Sequence, residues 1–185
     1  MTSVLTVTAP RVAGIDISLT STGVATLAGT TAITSVGHRT DDLATRQRRL
    51  TLITGRVLTA VGTVDLAVVE GPSHHSVGGS VWDRAGLWWR ITTALMSRQI
   101  PVAVVPPSCR AKYATGSGAA RKAAVLAAVA ARYGVTPQTD DEADALVLRA
   151  MGLDRLGHPL AEVPSVNRGV LDACQWPDAV EAVVL

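Results

Sequence analysis

Apolar and polar positions along the chain follow two periods. From Arg11 to Ile17 they suit a strand, with Val12, Gly14 and Asp16 on one face and Ala13, Ile15 and Ile17 on the other. Ser18 to Thr22 is a polar turn, and Gly23 to Leu27 a second apolar strand. Thr31 to Val36, rich in β-branched residues, reads as a third strand, so the opening predicts an antiparallel meander. Asp65 to Glu70 is a short continuous apolar run, the pattern of a strand covered on both faces, and Gly71-Pro72 ends it. Pro101 to Val105 is the last strand.

Between these runs the spacing turns helical. Leu43, Leu50, Ile53, Val57 and Val61 predict a helix over Asp42 to Val61, capped by Asp41 or Asp42. Val81 to Arg98, with Ser80 as cap, carries Trp82, Leu87, Trp88, Trp89, Ile91 and Leu95. A helix apolar nearly all round is buried or forms an interface. Cys109 to Gly118 reads as a basic loop. Ala119 to Tyr133 is a helix stopped by Gly134, and another runs from Asp140 to about Leu153. The order βββ-α-β-α-β-α-α predicts an α/β fold with a mixed five-stranded sheet flanked by helices. It spans residues 1–153, with residues 154–185 as a tail packing on that domain.

Composition narrows the class. The 185 residues are 48% hydrophobic and 17% charged, a globular rather than disordered profile. No apolar run reaches the roughly 20 residues of a membrane span, and the N-terminus lacks the pattern of a signal peptide. Cys109 and Cys174 show no CxxC spacing, which predicts a reducing, cytoplasmic setting and argues against zinc. The net charge is only +2. Its basic residues are nearly all arginine, which suits phosphate contacts.

Four acids stand out. Asp16 and Glu70 end or nearly end apolar strands, where a carboxylate is costly unless partnered. Neighbouring strands lie about 4.8 Å apart, so two such acids can share a cation. Asp141 and Asp144 are one helical turn apart and can project to one side. Taken singly, acids in a first helical turn are ordinary caps, and Thr139 with Glu142 fits a capping box. Together Asp16, Glu70, Asp141 and Asp144 make an oxygen-rich cage suited to Mg²⁺ or Mn²⁺. Arg110, Lys112, Arg121 and Lys122 cluster in a short stretch, as either a solvated face or a phosphate-binding one. Arg121 and Lys122 oppose the helix dipole, which favours phosphate.

The segments GIDISLTSTG, VVEGP, PPSCRAKYATGSGAARKAAV and DDEADALVLRAMG, in that order over Arg11 to Leu153, resemble the RuvC-type Holliday-junction resolvases, particularly small phage-encoded relatives. The resemblance implies an RNase H-like fold, a homodimer, and metal-dependent cutting of four-way DNA junctions by paired nicks. Those cuts leave a 5′-phosphate and a 3′-hydroxyl, and the setting implied is a bacterial or phage-infected cytoplasm. Asp16, Glu70, Asp141 and Asp144 match the family's metal-binding acids, which hold two Mg²⁺ or Mn²⁺ ions per site. Lys122 matches the basic residue that contacts the phosphate near the cut. Asp16-Ile17-Ser18 stands where many cellular members have Asp-Pro-Gly, and an arginine precedes Lys122 where an acid is usual. His74 and His75 stand where some members place an aromatic wedge. They read either as a polar loop or as base-stacking or phosphate contacts at an opened junction.

Other readings fall away. Asp141 to Asp144 spells D-E-A-D, but no phosphate-binding loop accompanies it, so neither a helicase nor a nucleotide cofactor is expected. Actin-like and sugar-kinase ATPases need a second such domain. Proofreading exonucleases want an Asp-x-Glu in the first strand. A catalytically idle RNase H-like module that binds branched DNA or a protein partner stays open, as does another nuclease of the same fold.

Overall fold

The structure is a computed structural model that describes residues 9–72, 80–178 and 180. His74 and His75 lie outside the described residues. Strands β1 (Val12–Asp16), β2 (Ser21–Thr26) and β3 (Gly29–Thr34) form the meander. Helix α1 (Leu43–Val61) follows, then β4 (Leu66–Glu70), α2 (Val81–Ser97) and β5 (Val102–Val105). Among the described residues four named helices follow: α3 (Pro107–Thr115), α4 (Lys122–Tyr133), α5 (Asp140–Arg155) and α6 (Ser165–Arg168), with a 3₁₀ turn at Gly169–Ala173.

The sheet order is β3-β2-β1-β4-β5. The meander is antiparallel, whereas β1, β4 and β5 run parallel. This is the mixed five-stranded sheet with flanking helices that the sequence predicts. Strand alternation divides the core into two layers. Ala13, Ile15, Ala67 and Val69 face α1 and α2, against Ile53, Val57, Leu87, Ile91 and Leu95. Val12, Leu66, Val68, Ala103 and Val105 face α5, α4 and α3. Asp16 and Glu70 have the parity of that second face.

Three features differ from the expectation. The stretch read as a basic loop is α3 as far as Thr115, entered through Pro106-Pro107 and closed by Gly116 at φ 86°. Proline in the first turn and a left-handed glycine after the last one are helix boundaries. Helix α4 starts at Lys122, with Arg121 as its N-cap, rather than at Ala119. Helix α2 is also less uniformly buried than its composition suggests. Leu87, Ile91 and Leu95 are buried, but Trp82 and Trp89 stand in solvent.

Helix α5 lies against β1 and β2 at unusually short range. A Cβ added to Gly14 would sit 2.0 Å from the Ala145 carbonyl oxygen, and one at Gly23 would sit 1.9 Å from that of Asp141. Only glycine admits this approach. The tail closes the free edge of β5, where Val104 and Gln175 exchange backbone hydrogen bonds of 2.9 and 3.0 Å. That bridge interrupts an edge that could otherwise template pairing with another chain. Its other anchor is buried Asp154, which accepts from Tyr113 Oη at 2.9 Å and from Arg168 Nε at 2.8 Å. Among the described residues no helix is long and apolar enough to cross a membrane.

Candidate active site

Strands β1 and β4 pair in parallel with Ile15 opposite Val69. The next residues, Asp16 and Glu70, therefore emerge side by side at the same end of the sheet. Asp16 is opposite Gly23 on β2, and Gly23 lies beneath the Asp141 backbone. The glycine contacts thus set the start of α5 over the Asp16 strand end, with Asp144 one turn further along. Thr139 caps α5 by accepting from the Glu142 N–H at 3.2 Å. The Glu142 carboxylate reaches the Gln138 N–H at 2.8 Å, one residue earlier than a capping box requires.

The carboxylates feel one another. Asp16 is buried, and its carboxyl is held well above the ordinary value of 3.8 by burial first, then by Glu70 and Asp144. Asp141 pushes in the same direction and Arg110 against it. The Asp144 carboxyl rises to about 6, because burial outweighs the pull of Arg110.

Arg110 occupies the centre of this group. Its Nε donates to Glu70 Oε1 at 2.6 Å, and its Nη1 pairs with Asp144 Oδ1. The three side chains are 12%, 18% and 6% exposed, so the bridge is largely shielded from water. Lys122 stands at the rim, paired with Asp140, and its ammonium is further stabilised by Asp141 and Asp144. Lys112 is half-buried in the last turn of α3, and Arg121 is exposed at the start of α4. Trp88 Nε1 donates to the Glu70 backbone carbonyl at 2.9 Å, which ties α2 to the end of β4. The sequence reading placed Arg110 among the phosphate contacts and Asp140 among the caps. It anticipated neither Arg110's contact with the acids nor Asp140's hold on Lys122.

Among the described residues, no three His, Cys, Asp or Glu side chains stand ready around a single ion. The chemistry of the site nevertheless fits a hard divalent cation. Its donors are all carboxylates. Burial first, and repulsion from neighbouring acids after it, raises Asp16 and Asp144, and the cation between Glu70 and Asp144 is a guanidinium.

A meander extended by two parallel strands, with one buried helix laid across it, is an RNase H-like fold. Solved structures share that fold. Thermus thermophilus RuvC matches with a TM-score of 0.63 and 20% identity, over 83% of this chain and 99% of its own. The T. thermophilus RuvC complex with a Holliday junction substrate matches at 0.65 and 20% identity, over 84% and 99%. No protein-family model matches the chain, and no curated protein sequence does.

Proposed function

We propose that the chain is a divalent-metal-dependent endonuclease that resolves four-way or otherwise branched DNA by paired nicks. The observation that carries this reading is the gathering of Asp16, Glu70, Asp141 and Asp144 within one another's field at one end of the sheet. Branched DNA as substrate is supported by the fold shared with a protein solved on a Holliday junction. The placement among small phage-encoded relatives, and action in a bacterial or infected-cell cytoplasm, rest on the sequence motifs.

Asp16, Glu70, Asp141 and Asp144 would hold Mg²⁺ or Mn²⁺, two per site. What such ions supply when bound is Lewis acidity toward the phosphate and a water of lowered pKa. The chain's own groups do the rest. The strand-end carboxylates and the α5 pair fix where the phosphodiester can lie. Lys122, exchanging Asp140 for a phosphoryl oxygen, offsets the charge that builds there. Arg121 and Lys112 hold flanking phosphates.

The test is a synthetic four-way junction with Mg²⁺ or Mn²⁺. Symmetric paired nicks carrying 5′-phosphates are expected, with affinity falling steeply as salt rises. Equal cutting of linear duplex or an RNA–DNA hybrid would assign another nuclease activity to the same fold. A second reading, an idle junction-binding module, is favoured by the guanidinium seated among the acids. Binding without cleavage under every divalent metal would establish it.

We also infer that two copies pair through α2. Trp82, Trp89 and Met96 recur at seven-residue spacing and are 83%, 63% and 65% exposed, a stripe along one helix face. Light scattering at micromolar concentration should give the mass of two chains, and a single-chain mass overturns the inference.

A further inference from the structure

We infer that Arg110 is the site's resident cation, holding Glu70 and Asp144 together until a divalent ion displaces it, so that metal entry requires its guanidinium to leave. This rests on the metal site proposed above and adds a gate to it.

Three observations point the same way. The guanidinium spans two carboxylates from different elements, Glu70 at the end of β4 and Asp144 on α5. Both contacts are charge-assisted hydrogen bonds, stronger than those between neutral groups. The bridge is shielded, with Arg110 only 12% exposed, so it is not a screened surface pair. The balance of charge is also incomplete, since one guanidinium touches a group containing four acids. The site therefore has a cation and room for more positive charge.

A divalent ion held by Glu70 and Asp144 would compete with the guanidinium for the same two carboxylates. Two unlike cations cannot crowd that spot without strong mutual repulsion. Arg110 has the means to leave. Its backbone is fixed on α3, but its stem is long and flexible, and α3 begins directly behind the Pro106-Pro107 corner beside the site. Without metal the arginine keeps the acids from driving β4 and α5 apart. With metal it becomes a free cation beside the phosphate track. A gate of this kind weakens apparent metal affinity by the fraction of time it stands open.

The experiment is calorimetric titration of the full chain with Mn²⁺, paired with thermal melts in EDTA and in saturating Mn²⁺. Arg110→Gln should bind Mn²⁺ about tenfold more tightly, the result of a gate open in roughly one molecule in ten. Its melting temperature in EDTA should drop by about 6 °C, since two buried acids lose their partner, and Mn²⁺ should restore it. A merely structural arginine would instead weaken metal binding on removal. Equal or weaker binding by Arg110→Gln therefore overturns the inference while leaving the nuclease reading intact. If neither protein binds Mn²⁺, both fall together. Should Arg110→Gln fail to fold, Arg110→Lys keeps the charge but cannot span both carboxylates. Tighter binding than wild type by Arg110→Lys supports the gate, and equal or weaker binding overturns it.

Discussion

Asp16→Asn should abolish junction cleavage, by at least about 10³-fold, while making the metal-free protein more heat-stable. The loss follows from the ligand set. Asparagine keeps the shape and removes the charge, and several kcal/mol of metal-derived stabilisation become about three powers of ten in rate. The stability gain follows from burial. The Asp16 carboxyl is raised by desolvation and by Glu70 and Asp144, so its ionised form is a liability when no metal is present. A carboxyl raised on folding weakens the protein as pH climbs from its ordinary value through the folded one. For Asp144 that window runs from 3.8 to about 6, a loss of about 3 kcal/mol once pH exceeds it. Wild-type protein in EDTA should therefore melt at a lower temperature at pH 7.5 than at pH 5, and Asp16→Asn should shrink that gap. Saturating Mg²⁺ should do the same for wild type by binding only the folded state. A variant that melts lower than wild type at pH 7.5, or that still cuts junctions, would remove Asp16 from the role given to it.

The strands and the long helices were legible because each carries a clean period. Val12 to Asp16 alternates between two faces, and α1 repeats Leu50, Ile53 and Val57 toward one core. The four acids were legible for a related reason, since a carboxylate inside an apolar run has to be explained by a partner. Helix α3 was not. Its nine residues carry little apolar periodicity, and Arg110, Lys112 and the glycines after it look like a loop. Pro107 in its first turn and Gly116 after its last were the available signals. Missing that helix also hid the Arg110 bridge, because the bridge depends on where α3 packs beyond β5. Lys122's hold on Asp140 was hidden likewise, as it joins the starts of two helices 18 residues apart. The tail's order was illegible for want of periodicity. It is fixed by isolated apolar contacts such as Val170 and Leu171 and by single polar anchors, Asp154 and the Val104–Gln175 pair, which no periodic pattern announces.

Gly14→Ala should cost more than about 3 kcal/mol and loosen the site, although it adds only one methyl group. The new Cβ would stand 2.0 Å from the Ala145 carbonyl oxygen and 2.4 Å from the Arg149 nitrogen. Both are backbone atoms of a buried helix, so no side chain can rotate away to make room. Overpacking where a rotamer can yield costs about 1–3 kcal/mol; here α5 must lift from β1 as a whole. That lift would break the contact over Gly23 and carry Asp141 and Asp144 away from Asp16 and Glu70. Metal affinity should fall with stability. Glycine is the weaker strand former, so its presence inside β1 already marks what the approach of α5 requires. The contrast is Gly55, exposed within α1 with nothing near its would-be Cβ. Gly55→Ala should stabilise by about 0.5–1 kcal/mol through helix propensity alone. Urea unfolding of both variants decides the matter, since a Gly14→Ala protein within about 1 kcal/mol of wild type would mean that α5 does not set the acid geometry.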